Sequence, residues 1–441
     1  MATVFLAVTA TACSSSAAVA PPSTFASTSP WLGTFTAAAL PPPVNTLSAV
    51  DCVGASRCWA VGSTVGGAGA PNGAAVIATT DGGASWKAQV IPPVAGYLSG
   101  IACTDDTHCT AVGQSSQSST GLAVIITTLD GGTVWAPVAV PAGVGDLTAI
   151  TCRHDGRCMA VGTGAAGPVA LVSTSSGTSW AQAGPLPAGL TGPTAISCTD
   201  DQNCWVTGHS VTDLNHVAGS LALSTDGGVS WATVAIPAGI GDLNGISCLI
   251  GPATGSGAFP TTTTTTTTTP ASSSTATPAA GAGAPTSSST ASSTTTTAPT
   301  TTSTTTPAAS PPTTAPPVGV PGIRCTAVGT TAGTLIGSRI GHGLLLSTAN
   351  GGATWTSASV TTSAASLADV SCPAIGTCIA AGSAVASVTQ AGLALVSGAD
   401  SSPWRDASTV AFPEPLTAVS CVSDSHCVVV GESIIEYLVG G

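Results

Sequence analysis

The chain has 441 residues, of which only 6% are charged, and its formal net charge is −12. A soluble domain usually carries about 25% charged residues. Seven Lys and Arg in all cannot form a basic footprint, which excludes an ordinary nucleic-acid-binding surface. Mean hydropathy is +0.45, yet no apolar run approaches the roughly 18 residues that a membrane-spanning helix requires. Fifteen Cys in so uncharged a chain point to an oxidising compartment and disulfides.

The chain begins with an apolar stretch, Val4 to Ala12, followed by Cys13 and by Ser14, Ser15 and Ser16. Residues 1–13 resemble the end of a bacterial lipoprotein signal, which implies a lipid on Cys13. The match departs at Ala10, where Leu is usual, and no Lys or Arg precedes the apolar run. An ordinary secretion signal would leave Cys13 incidental. Residues 14–28 read as a tether.

A repeat then takes over. The phrase L-S-A-V-D-C-x5-C-W-A-V-G spans Leu47 to Gly62 and returns at Leu98, Leu147, Thr194, Leu367 and Leu416. A seventh copy starts at Leu243 and resumes at Cys325 after an insertion. The first cysteines are Cys52, Cys103, Cys152, Cys198, Cys248, Cys372 and Cys421, so uninterrupted repeats are 46 to 51 residues long. The second cysteines are Cys58, Cys109, Cys158, Cys204, Cys325, Cys378 and Cys427, each followed four residues later by Gly. Cys13 alone lies outside the repeat. Each copy continues through an apolar run into a D-G-G turn that ends in Trp, as in Thr79 to Trp86. Short alternating runs bounded by Gly and Asp read as strands, and D-G-G reads as a tight hairpin. This predicts four strands, A to D, per repeat. Strand A ends at the first Cys, strand B starts at the second, strand C precedes the D-G-G turn and strand D starts at the Trp. Four strands in roughly 50 residues make one propeller blade.

Seven A–B units are followed by only six C–D units. The ten residues after Gly431 hold one more strand. Ser29-Pro30-Trp31 matches Ser402-Pro403-Trp404, so Trp31 to Leu40 is expected to supply the outer strand of the last blade. That pairing closes the ring with both chain ends. The predicted fold is all-β: a seven-bladed β-propeller of four-stranded blades over residues 29–249 and 323–441.

The turns carry a family resemblance. Thr79, Asp81, Gly83 and Trp86 match the S/T-x-D-x-G-x-S/T-W box of Asp-box (BNR) repeat propellers. So do Thr128, Asp130, Gly132 and Trp135, and Ser224, Asp226, Gly228 and Trp231. Thr348, Asn350, Gly352 and Trp355 match with Asn in place of Asp, and the turns at Ser173–Trp180 and Ser397–Trp404 are degraded. The chain looks like that family over Trp31–Cys248 and Cys325–Gly441. The resemblance implies a propeller in which the boxes are structural, the Asp bonding the turn and the Trp packing beneath it. It does not settle function, because relatives include sialidases, xyloglucan-cleaving enzymes, receptors and photosystem assembly factors.

Six of the Cys pairs straddle a five-residue A–B turn, the seventh the insertion, and the ends of a short hairpin loop lie within bridging distance. Seven local disulfides are expected. Zinc is the rival reading, but pairs one blade apart cannot assemble a four-ligand site. Between Cys248 and Cys325, residues 250–322 contain the run Thr261 to Thr269 and much Pro, Ser and Ala. That composition reads as a disordered, mucin-like insert, either a spacer or an expansion without a task.

Candidate catalytic residues are few. A sialidase needs an arginine cluster and a Tyr/Glu nucleophile. Here Arg57, Arg153, Arg157 and Arg324 belong to A–B turns, on the face opposite the substrate face of the resembled family, and Tyr97 and Tyr437 are the only tyrosines. Asp146 and Asp242 precede strand A in blades 3 and 5 and are the candidate carboxylate pair of a glycosidase, although their repeated Gly-Asp-Leu setting favours a structural turn. His209, Asp213 and His216 in the B–C loop of blade 4, with Arg339 and His342 in that of blade 5, complete the candidate ligand face. No metal or cofactor is expected. The composite expectation is a monomeric, secreted, lipid-anchored, non-catalytic propeller that binds a protein or glycan. A divergent extracellular glycoside hydrolase is the alternative, and a wall structural protein is a third reading.

Overall fold

The computed structural model describes residues 34–65, 73–116, 122–213, 216–251, 319–332, 342–360, 364–386, 389–397, 404–407 and 412–439. Cys13, Trp31, Arg339 and residues 252–318 of the insert lie outside them. The described residues form seven antiparallel four-stranded sheets and no helix. Each sheet is one blade. In blade 1, strands A to D are Val44–Cys52, Cys58–Thr64, Gly73–Thr79 and Lys87–Ala88. Contacts run from each strand A to the strand A of the next blade and from blade 7 back to blade 1, so the ring closes.

Blade 7 takes its outer strand from the other end of the chain. Phe35–Ala38 pairs with Ile435–Val439 in the register Phe35↔Leu438 to Ala38↔Ile435. Phe35 also meets Phe412 edge to face at 5.5 Å. The closing strand is therefore where the unequal count of A–B and C–D units placed it, though shorter than the expected Trp31–Leu40.

Strand A differs from its sequence reading. In five blades it begins three residues before the expected Leu, for example at Val44, Ala95 and Val144. All seven A–B pairings slip by one residue just after that position, from Leu47/Ala49 in blade 1 to Leu416/Ala418 in blade 7. A β-bulge adds one unpaired residue and bends the strand. It also explains the Gly of strand B. A Cβ on Gly62 would collide with the Thr46 carbonyl, and one on Gly162 with that of Asp146. The same clash recurs at Gly113, Gly208, Gly329, Gly382 and Gly431. Bulge and Gly are two halves of one device.

All seven expected Cys pairs are bridged. Six join cysteines six positions apart: Cys52 to Cys58, Cys103 to Cys109, Cys152 to Cys158, Cys198 to Cys204, Cys372 to Cys378 and Cys421 to Cys427. The seventh joins Cys248 to Cys325 at a sequence separation of 77. In blade 4 the bridge packs on a thioether of blade 3: Met159 Sδ lies 3.8 Å from Cys198 Sγ and 3.4 Å from Cys204 Sγ. Both sulfurs are spent in the bridge, so the contact is one of packing. These bridges close the A–B turns. The C–D turns dock beside them: the N–H of Gly82 donates to Ser56 O at 3.0 Å, and Gly131, Gly227 and Gly351 repeat that contact. A–B and C–D turns together form what we term the lower face. B–C and D–A loops form the upper face.

Within the D-G-G turns the hydroxyl and the carboxylate share the backbone. Thr79 Oγ1 accepts from Gly83 N at 3.0 Å, and Asp81 Oδ1 accepts from Ser85 N at 2.9 Å. Hydrogen bonds from the Ser85 hydroxyl and N–H and from Thr79 hold the Asp81 carboxyl down at about 2. Gly82 and Gly83 take φ of 75° and 104°, where an L side chain is strained. The degraded turn of blade 3 keeps this geometry, with Ser175 Oγ in the carboxylate's place, 3.0 Å from Ser179 N. Trp86, Trp135 and Trp355 are buried beneath their turns.

Candidate functional site: the channel and its upper rim

Seven strands A surround a central cavity of about 370 Å³. Its wall is organised by position along the repeat. The bulged residues are Ser48, Ser99, Thr148, Thr194, Asn244, Ala368 and Thr417. Bulges re-aim side chains, and these point at the neighbouring blade. Ser99 Oγ donates to Leu147 O at 2.5 Å, Thr148 to Pro193 O at 2.8 Å and Thr194 to Leu243 O at 2.5 Å. Asn244 Nδ2 donates to Leu367 O at 2.8 Å, and Thr417 Oγ1 to Leu47 O at 2.8 Å. Ser48 instead meets Tyr97 Oη of blade 2 at 2.6 Å.

A second ring lies nearer the lower face. In five blades the residue before the first Cys accepts the Cys N–H of the next blade. Ser420 accepts from Cys52, Ser197 from Cys248, Ser247 from Cys372 and Ser371 from Cys421, all at 3.0 to 3.2 Å. Asp51 does the same with Cys103 N at 2.7 Å. Blade 6 lacks the upper hydroxyl, having Ala368, and there Asp369 bridges the seam: its Oδ2 accepts from Val419 N of blade 7 at 3.0 Å.

Asp51 and Asp369 are the only charged residues in the cavity wall. Neither side chain is fully withdrawn from the channel, yet burial pushes both carboxyls up to about 6, against the pull of the backbone N–H groups they accept from. Desolvation disfavours the charged form, and no Lys or Arg lines the wall to offset it.

At the upper rim, two of the candidate carboxylates occupy equivalent places. Asp242 of blade 5 lies 3.3 Å from His209 Nδ1 of blade 4. Asp146 of blade 3 is hydrogen-bonded by Gln114 of blade 2, and burial raises its carboxyl above the usual range. Each Asp is thus gripped by the residue that follows the strand-B Gly of the preceding blade. The structure brings His209 and Asp242 together, which the sequence had assigned to separate loops of one face. Neither Asp146 nor Asp242 lines the central cavity. His342 is exposed, and its N–H donates to Thr331 Oγ1 at 2.9 Å. The side chains of Asp213 and His216 lie outside the described residues, although the two pair across their hairpin. Among the described residues no group of three or more His, Cys, Asp or Glu is placed to hold a metal ion. Lower-face arginines serve the ring: Arg57 Nη1 donates to Asp106 O at 3.2 Å and Arg157 Nη2 to Gly227 O at 2.6 Å, each across a blade seam.

Sequence reasoning missed Asp51, Asp369 and both hydroxyl rings. Aligning the seven copies column by column shows the signal: a hydroxyl or amide directly after the strand-A Leu in most copies, and Asp369 where the others have Ala or Gly.

Comparison with solved structures shows the same fold. YCF48 bound to a D1 peptide superposes with a TM-score of 0.51 at 10% identity, covering 92% of this chain and 97% of that one. YCF48 from Cyanidioschyzon merolae gives 0.51 at 12% identity, with 92% and 98% covered. The GH74 xyloglucanase from Xanthomonas campestris gives 0.51 at 14% identity, covering 92% of this chain and 53% of that chain. No protein-family model matches the sequence, and no curated protein matches it. At such identities the likeness is one of fold.

Proposed function

We propose that the chain is a secreted, cell-surface propeller that acts without catalysis, binding a protein or glycan on its upper face. The observation that carries this reading is the employment of the acids. Asp51, Asp369, Asp146 and Asp242 are each engaged by a neighbouring blade, so the carboxylates around the channel serve the ring. Recognition is then left to the loops above it, where sites on rigid scaffolds usually lie. Exposed apolar side chains occur there, including Tyr97 at the rim, Val65 and Leu122 in B–C loops and Val211 near the end of strand B in blade 4. Seven disulfides suit an oxidising, extracellular setting, and lipid on Cys13 would hold the propeller at the surface. A protein ligand is supported by the similar fold of YCF48, which has been solved with a bound peptide.

The test is a screen of the purified protein on glycan arrays, by pull-down from envelope extracts and on chromogenic glycosides. Binding without turnover is the expected result. Turnover that Asp146→Ala or Asp242→Ala abolishes would establish the glycoside hydrolase instead. Mass spectrometry of the membrane fraction should find a lipid on Cys13; an unmodified Cys13, or an N-terminus beyond it, would remove the anchor.

A further inference from the structure

Every blade of a propeller presents the outer edge of strand D, whose backbone groups are available to another strand. Edges are ordinarily blunted by shortness, charge or proline. Five blades follow that rule. Lys87–Ala88 is short and charged, and Arg405–Asp406 likewise. Ala136–Val138 contains Pro137. Ala181–Gln182 and Ala232–Thr233 have two residues each. The outer strand of blade 7, Phe35–Ala38, is also four residues without charge or proline, but it runs into Pro41, Pro42 and Pro43. Blade 5 breaks the rule: its outer strand Thr356–Ser359 has four residues, with neither charge nor proline.

That strand also borders a cleft of about 480 Å³ between blades 5 and 6, larger than the central channel. Leu345, Val360, Ile375 and Trp404 supply apolar wall. The one charged residue of the lining is Arg324, whose guanidinium has no ion-pair or hydrogen-bond partner among the described residues. In a chain of net charge −12, Arg57 and Arg153 by contrast both face aspartates.

We propose that this edge and cleft bind an extended peptide of a partner protein. The peptide adds to Thr356–Ser359 as a fifth strand of blade 5, sets an apolar side chain against Trp404, and places an acidic side chain at Arg324. An unpaired edge selects extended backbone, and the flanking pocket selects side chains at alternate positions. Arg324 sets the polarity of the charge, since a lone guanidinium prefers a carboxylate.

The full-length protein and a fluorescein-labelled, capped peptide of alternating Val and Thr with Glu at one end provide the test. Anisotropy should show saturable binding at roughly 10–100 µM, a range ordinary for short peptides. Replacing the peptide's Glu by Gln should weaken binding about 10-fold. Arg324→Gln should cost about as much, and the two changes together should cost no more than either alone. A peptide N-methylated at alternate amides should not bind, and amide exchange at residues 356–359 should slow only with the unmethylated peptide. Absence of saturable binding up to about 1 mM overturns the proposal, as does equal binding of the N-methylated form. Slow exchange at 356–359 that needs no peptide, and that vanishes on deletion of residues 254–315, would also overturn it, because the chain's own insert would then be the occupant.

Discussion

The two faces of the ring are built on different principles. The lower face repeats one plan, interrupted only by the insertion in the A–B turn of blade 5: the seven A–B turns carry disulfides, and C–D turns dock on them through one repeated N–H to carbonyl contact. The upper face varies. Its B–C connection is two residues between Gly164 and Gly167 in blade 3, and eleven between Thr331 and Gly343 in blade 5. Stability is thus concentrated below, and apart from the bridged insertion of blade 5 the variation in length lies above. A face whose geometry is locked seven times over leaves the opposite one free to change length without loosening the ring.

The lower face is most vulnerable at its longest bridge. Cys248 and Cys325 join a blade across 77 positions, whereas the other pairs span six. In the chain-entropy model a loop of that length gives about 4.5 kcal/mol and a short one about 2 kcal/mol. Replacing both Cys248 and Cys325 by Ser should lower stability about twice as far as replacing Cys52 and Cys58, measured by denaturant midpoint. Equal losses would mean that the insertion leaves blade 5 as well nucleated as the rest.

The bulges come next. Gly62→Ala and Gly162→Ala drive a Cβ into backbone carbonyls that cannot move without undoing the bulge. Each should cost about 3 kcal/mol, the upper end for overpacking, and should appear as a lower melting temperature. Gly54→Ala is the control: its Cβ meets nothing within 4 Å, so its melting temperature should hardly move. The recurrence of Gly was visible in the sequence, but its cause was not. A one-residue bulge leaves Leu-x-Ala-Ile looking like an unbroken strand, because alternation reports side-chain faces and not register.

The acids of the channel make the stability of the ring depend on pH. Burial raises Asp51 and Asp369 from 3.8 to about 6. A group whose folded value is raised adds stability fully present below the unfolded value, and that stability is lost as pH rises through the folded one. The protein should therefore be more stable near pH 4.5 than near pH 7.5, by at most about 2 kcal/mol per carboxyl, less what solvent in the channel screens. Asp51→Ser should flatten that slope, because Ser371 and Ser420 make the equivalent bond to the next Cys N–H without a charge. Denaturant unfolding at both pH values decides it; an unchanged slope would show that the channel hydrates its acids well.

Much of the architecture was legible because the repeat wrote it seven times: blade count, cysteine pairing and the two-ended closure of blade 7 all follow from spacing. The candidate site was legible only in part. Asp146 and Asp242 stood out as a repeated phrase, but their partners Gln114 and His209 come from preceding blades. A single repeat cannot reveal which residue of the previous one it meets. The contact of Met159 with the Cys198–Cys204 bridge of the next blade was out of reach for the same reason. The channel's Asp51 and Asp369 were hidden for a related one: each occurs once, and attention to what recurs passes over what breaks the column.

The smallest effect belongs to the upper rim. His209 and Asp242 remain about a third and nearly half exposed, at 33% and 45% of their side-chain area. An exposed pair of this kind contributes about 0–1 kcal/mol. His209→Ala and Asp242→Asn should therefore leave the melting temperature within a degree or two of the parent. If the upper face is the recognition surface, the same substitutions should alter ligand affinity in a pull-down or array assay while the fold stays intact. Changes in lower-face cysteines should do the reverse, lowering stability before they touch affinity in the protein that remains folded. A rim substitution that melts the ring, or a lower-face one that abolishes binding at full stability, would erase the division of labour between the two faces.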